Sequence, residues 1–216
     1  MSRPSVRFHV ALVSTLVALW TGAVLLGLVL QVWDETRTRP PSTGYDKAFR
    51  DWGGTFVALA FSLRMALARM IGQARSLKGP SSTSVTSVTS LASMSLAFVY
   101  SGHAALRALL YKLHVHLIKT KAIAGHIMSD HILLSSCVLT GLLCELYIIS
   151  REAVWHRGRR RTVLYGFALL LVAAIVGLAM EVYATARYFH DWSDSLVAVG
   201  LGGIFKWTAW RAVGRE

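Results

Sequence analysis

The sequence predicts an all-α fold, an integral membrane bundle of six transmembrane helices, and three observations carry that prediction. Of 216 residues, 54% are hydrophobic and 16% charged, with a mean hydropathy of +0.49, too apolar and charge-poor for an ordinary soluble domain. The apolar residues cluster in runs near the ~20 residues that cross a ~30 Å hydrocarbon layer at 1.5 Å per residue. The basic residues behind a net charge of +12 lie between those runs, as membrane topology requires, and form no aromatic-interleaved stripe of the kind that binds nucleic acid. Six spans take roughly 120 residues and leave short loops, so residues 1–216 read as one domain. Disorder, a collagen-like fibre and a disulfide scaffold are excluded, because the glycines follow no repeat and Cys137 and Cys144 are the only cysteines. Seven residues apart in an apolar run, those two read as small core or lipid-facing side chains.

The first run, from about Phe8 to Trp33, exceeds the apolar segment of a signal peptide and lacks a small-residue cleavage site before Asp34, so a retained span is expected. Asp34 to Asp51 contains Pro40 and Pro41, and its four acids balance its four bases, as in an uncharged outer loop. The second run, Trp52 to about Ile71, carries Arg64 and Arg69 near its end, where long basic side chains are expected to snorkel to the headgroups. Gly72 to Thr89 is rich in Ser and Thr and leads into the third and least apolar run, about Val85 to Leu110, which His103 and Arg107 interrupt. Tyr111 to Met128 reads as a basic loop with Lys112, His114, His116, Lys119, Lys121 and His126, and Ile127 to Ile149 as the fourth span. Arg151 to Arg161 reads as an arginine-rich loop and Val163 to Ala186 as the fifth span. The sixth, Ser195 to about Trp210, holds Gly200, Gly202 and Gly203, which permit close helix approach, and ends in interfacial Trp207, Trp210 and Arg211.

By parity, Arg3 and Arg7, Arg75 and Lys78, and the Arg151 loop share one side, which makes both termini cytoplasmic. The other face holds residues 34–51, 111–129 and 187–194, and two of these carry chemistry. Arg187-Tyr188-Phe189-His190-Asp191-Trp192-Ser193-Asp194 sets an imidazole and a carboxylate four apart. On one helix the two share a face, so Asp194 orients one ring nitrogen of His190 and leaves the other as a nucleophile, with Arg187 a turn earlier to bind an oxyanion. The plainer reading is an interfacial turn whose aromatics belong to the membrane belt. Ser129-Asp130-His131 opens the fourth span on the same side, so two histidines can meet. Phosphoryl transfer needs a nucleophile, a proton donor for the leaving oxygen, and cations around the other oxygens. Arg187, Arg107, Lys112, Lys119 and Lys121 are the candidates for the last role. His114 and His116 lack a nearby carboxylate pair, so no metal site is expected and no cofactor is implied. Glu145 and Glu181, in apolar runs, are expected to make structural hydrogen bonds inside the bundle, roughly 21 Å and 13 Å of helix from His131 and His190. Near the end of its span, Glu145 has water or the Arg151 loop as an alternative partner.

The segment Tyr188 to Asp194, followed by the glycine-bearing sixth run, resembles the third signature of the type-2 phosphatidic acid phosphatase superfamily, also called lipid phosphate phosphatases. Ser129-Asp130-His131 is similar to its Ser-Gly-His second signature. The likeness is nearer to the fat-storage-inducing transmembrane (FIT) branch, in which an acid follows that histidine by fourteen residues, as Glu145 follows His131, and Tyr-Phe-His closes the next helix. It is specific over roughly residues 127–210 and topological before that. It implies a six-span endoplasmic-reticulum enzyme, its site lumenal, cleaving a phosphoanhydride or phosphoester of a membrane lipid or, for the FIT branch, of fatty acyl-CoA. By the same resemblance His190 is the nucleophile, Asp194 its orienter, His131 the acid for the leaving group, and Ser129 a phosphate ligand. The chain departs from the pattern in lacking Lys-x6-Arg-Pro and in having Asp130 for glycine and Met128 for proline, while it retains Asp194. Ser101-Gly102-His103 is a literal Ser-Gly-His in the third run, and there His103 is expected to be structural. Within the superfamily the other reading is a phosphatidic acid phosphatase. Outside enzymes, it is a non-catalytic membrane protein that binds neutral lipid and supports lipid-droplet formation.

Overall fold

The computed structural model describes residues 6–33, 55–70, 95–123 and 127–213. The expected outer loop at 34–51, the linker at 72–89 and the Arg75 and Lys78 pair lie outside them. Among the described residues there are six helices and no strands: α1 (Val6–Trp33), α2 (55–70), α3 (Ser95–Lys119), α4 (Asp130–Trp155), α5 (Arg159–Tyr188) and α6 (Trp192–Val213).

Three of these, α1, α4 and α5, are long and apolar enough to cross a membrane, which marks a membrane-embedded protein. The most apolar window of α4 is 89% buried, against 33% in α1 and 39% in α5. The central helix is therefore α4, and α1 and α5 turn apolar side chains such as Leu25, Leu26, Leu169 and Leu170 outward, as a helix facing lipid does. The largest contacts join α1 to α5, then α4 to α5 and α4 to α6, with α3 against α4 and α6.

Two expected loops are largely helical. The segment expected as a loop from Tyr111 continues α3 to Lys119, because no Gly or Pro interrupts residues 103–119 and Leu and Ala are frequent among them. That helix ends where Lys121 adopts a left-handed φ of 55° and Ala122 N–H donates to Leu117 O at 3.0 Å, a Schellman-type stop. The expected arginine-rich loop shrinks to residues 156–158, where Gly158 takes a φ of 61° that only glycine adopts without strain.

Close helix approach depends on glycine at three crossings, among them Gly141 of α4, where a Cβ would lie 2.5 Å from Val57 Cγ1 of α2. A Cβ on Gly202 would lie 2.5 Å from Ser136 Cβ across the α4–α6 interface, and one on Gly27 would lie 2.7 Å from Tyr183 O across α1–α5. Gly200 and Gly203 face open space. Thermal unfolding in detergent should therefore separate the glycines of α6: Gly202→Ala, like Gly27→Ala, loses about 1–3 kcal/mol to overpacking. Gly200→Ala and Gly203→Ala hold or gain stability, because alanine is the better helix former.

The charge pattern inside the bundle differs from expectation at α2. Ala60, Arg64 and Ala68 form its buried stripe, and Arg64 is fully buried instead of snorkelling outward. Its Nε donates to Glu145 Oε2 at 2.6 Å, the guanidinium lies 5.0 Å from the Phe61 ring centre, and Tyr100 Oη donates to Glu145 Oε1 at 2.9 Å. Glu145 thus makes the interhelical hydrogen bonds expected of it, with α2 and α3, which supply the counter-ion that its burial demands.

Candidate functional site

One end of the bundle gathers the start of α4, the end of α5, the start of α6 and the last turn of α1. Ser129 caps α4 by accepting from Ile132 N–H at 3.3 Å, the role for which serine is favoured at that position. Its own N–H donates to Asp194 O at 3.1 Å, tying the first turns of α4 and α6 together. Gln31, the only carboxamide in α1, donates through Nε2 to the carbonyl of His190. These two ties hold the turn between α5 and α6 over the start of α4.

That arrangement brings the imidazoles of His131 and His190 together, with ring centres 5.8 Å apart and planes tilted by 45°. Both rings are half-buried, so they are held by packing yet open toward one side. Two helix N-termini, those of α4 and α6, meet beside them, and their dipoles favour an anion there. Alternation of the apolar runs anticipated that the two histidines can meet; the part Gln31 plays was not legible in the sequence.

His190 and Asp194 do not share a helix as expected. His190 lies in the bend after α5, and Asp194 in the first turn of α6, where it is buried at 6% exposure. The chain breaks because α5 closes at Phe189, whose N–H donates to Thr185 O, and α6 restarts at Trp192 with Ser195 N–H on Asp191 O. Asp194 thus belongs to the helix after the histidine turn, with its backbone carbonyl accepting from Ser129 N–H.

The expected cations separate into three environments. Arg107 of α3 makes a two-point contact with Asp130, Nε to Oδ1 at 3.0 Å and Nη2 to Oδ2, so the Asp130 carboxylate meets a guanidinium one residue from His131. Arg187 is in the last turn of α5, with Nη1 donating to Tyr183 Oη at 2.8 Å and its guanidinium 4.9 Å from the Tyr188 ring centre. Lys112 and Lys119 are exposed, five and twelve residues beyond Arg107, and neither side chain makes a hydrogen bond or ion pair with the described residues. Lys121 is exposed as well. Ser129 is fully buried, its hydroxyl engaged in capping α4.

A cavity of about 510 Å³ lies between α2, α3 and α4, lined by Phe61, Tyr100, His103, Arg107, Leu134 and Val138 among others. It has the size of a small-molecule pocket and includes Arg107, the residue paired to the start of α4. His103, from the literal Ser-Gly-His, hydrogen-bonds Thr208 Oγ1 at 2.8 Å and packs on Phe205 with ring centres 4.8 Å apart, an α3–α6 contact away from the histidine pair. In comparisons with known proteins, the chain matches no family model, no curated protein and no solved structure.

Proposed function

We propose that the chain is a six-span membrane hydrolase acting on a lipid phosphoanhydride or phosphoester, with fatty acyl-CoA as the leading substrate and phosphatidic acid as the alternative. The observation that supports this most is the 5.8 Å approach of the His131 and His190 rings beside two helix N-termini, because it offers a nucleophile, an acid and an anion site in one place. In this reading a ring nitrogen of His190 attacks phosphorus and the bond to the leaving oxygen breaks. His131, protonated at the outset, gives that oxygen its proton. Water then attacks the phosphohistidine, His131 takes the water's proton, and the product, a phosphate monoester from acyl-CoA or inorganic phosphate from phosphatidic acid, leaves with His190 restored. Asp194 orients His190, Ser129 and the start of α4 hold a phosphate oxygen, and Arg107, Arg187, Lys112 and Lys119 supply positive charge. The cavity that begins at Arg107 gives room for the acyl chain.

The same reading puts the protein in the endoplasmic-reticulum membrane, with both termini cytoplasmic, the site lumenal, and α2, α3 and α6 joining the three apolar spans. The test is hydrolysis of fatty acyl-CoA and of phosphatidic acid by the purified chain, with His190→Ala and His131→Ala alongside. Equal rates in all three proteins end the enzymatic reading, and a lipid-storage phenotype that survives both substitutions favours a non-catalytic lipid-binding protein.

A further prediction concerns Asp130. In Arg107→Ala its carboxylate loses its partner and repels a phosphate, so kcat/KM should fall about tenfold, consistent with the loss of one charged hydrogen-bonded pair. Asp130→Gly in the Arg107→Ala background should recover most of that loss. Steady-state kinetics of the single and double variants checks this, and no recovery would show that Arg107 serves the substrate directly.

A further inference from the structure

Lys206 is a second intramembrane cation, in a different setting from Arg64. It lies fourteen residues, or about 21 Å, into α6 and roughly 10 Å from that helix's last residue. Its side chain does not run to the nearer end. Nζ donates to Ser136 Oγ at 2.8 Å and sits 4.2 Å from the centre of the Trp20 ring, whose Nε1 donates to Ser135 Oγ at 2.9 Å. Ser136 is six residues, about 9 Å, into α4, the most buried of the apolar spans. Two features direct the ammonium there. Helical side chains lean toward their own N-terminus, and Gly202, one turn earlier, lets α6 approach Ser136.

No carboxylate pairs with this ammonium among the described residues, and Glu145, the acid within α4's apolar run, is held by Arg64. A buried cation without an anion is unfavourable, and inside a membrane such a residue marks a binding site. Of its three N–H donors, Ser136 takes one and the Trp20 ring faces another, which leaves one for a ligand. Among the described residues, Lys206 is also the only charged side chain lining a cavity of about 460 Å³ between α1, α4 and α6, whose walls include Val13, Val17, Leu143 and Trp210. Along α1 this cavity runs from Thr21 to Val10, about 16 Å, close to half the hydrocarbon thickness.

We infer that Lys206 and this cavity bind one long-chain fatty acid, its carboxylate on the ammonium and its chain along α1. One remaining donor and one unit of charge suit a carboxylate, whereas a phosphate monoester brings more charge and more acceptor oxygens than the site can meet. The cavity's volume is that of a single ligand. The site is separate from the histidine pair and stands whether or not the chain hydrolyses phosphate.

The experiment uses the full-length protein in detergent and a photoreactive long-chain fatty acid bearing an alkyne. Labelling is expected on peptides of α1, α4 and α6 that line the cavity, competed by oleate and not by its methyl ester. Lys206→Met should reduce it about tenfold or more, the value of a charged hydrogen bond. Ala18→Trp, which keeps the ammonium and fills the cavity, should abolish it. Equal labelling in Lys206→Met, equal competition by the methyl ester, stronger competition by lysophosphatidic acid, or no labelling of the wild-type cavity would each overturn the inference. If Lys206→Met fails to fold, the acid-versus-ester comparison on the wild-type chain and the Ala18→Trp variant decide it.

Discussion

His190→Ala is expected to lower kcat/KM for fatty acyl-CoA by about 10³-fold or more, a loss of at least about 4 kcal/mol of transition-state stabilisation, whatever the leaving group. In the proposed mechanism no phosphohistidine forms without that ring, and water must attack unaided. His131→Ala should cost about 10²- to 10⁴-fold with a natural substrate, but its deficit should shrink when the leaving group is a nitrophenol, which departs without a proton. The contrast in leaving-group dependence assigns the two rings, which sit 5.8 Å apart and are otherwise equivalent in exposure. The reverse contrast would exchange their roles. A ³²P label retained on wild type after acid-free quenching, lost in His190→Ala and accumulating in His131→Ala, would be the direct chemical check.

The second large effect is on stability. Arg64 and Glu145 are both fully buried and 2.6 Å apart, and removing one partner of such a pair costs about 3–5 kcal/mol because the other charge stays behind unpaired. The two single variants should differ. A carboxyl group stranded by Arg64→Met can shed its charge by binding a proton and keep its bond from Tyr100 Oη. A guanidinium stranded by Glu145→Leu cannot lose its charge. Glu145→Leu should therefore unfold at the lower temperature in detergent. The double variant Arg64→Met/Glu145→Leu should recover most of the loss, since a well-packed apolar pair often equals a buried ion pair. If the double variant is no more stable than the worse single, the polar cluster with Tyr100 is needed for packing specificity.

The helices were largely legible in the sequence, and the histidine pair partly so. Alternation of apolar runs is enough to put the starts of α4 and α6 at one end, and that brings His131 and His190 to the same level. The helical reach of α3 to Lys119 was missed, because charge and histidine content read as loop when the absence of Gly and Pro from 103–119 was the stronger signal. The break between His190 and Asp194 was missed for the opposite reason. Four-residue spacing suits a helix, but the stop at Phe189 and restart at Trp192 are set by contacts with Ser129 and Gln31 from distant parts of the chain.

Linear order and composition determined that this protein is helical, apolar beyond the needs of a soluble domain, and able to bring two histidines to one end. Only the tertiary structure decided which charges meet: Arg64 with Glu145, Arg107 with Asp130, and Lys206 with a serine and a tryptophan instead of a carboxylate. The physical reason is that periodicity specifies the face of its own helix on which a side chain lies. Which neighbour that face meets depends on the rotation and depth of helices packed across the bundle, and in a low-dielectric interior those few ångströms separate a neutralised charge from an open one.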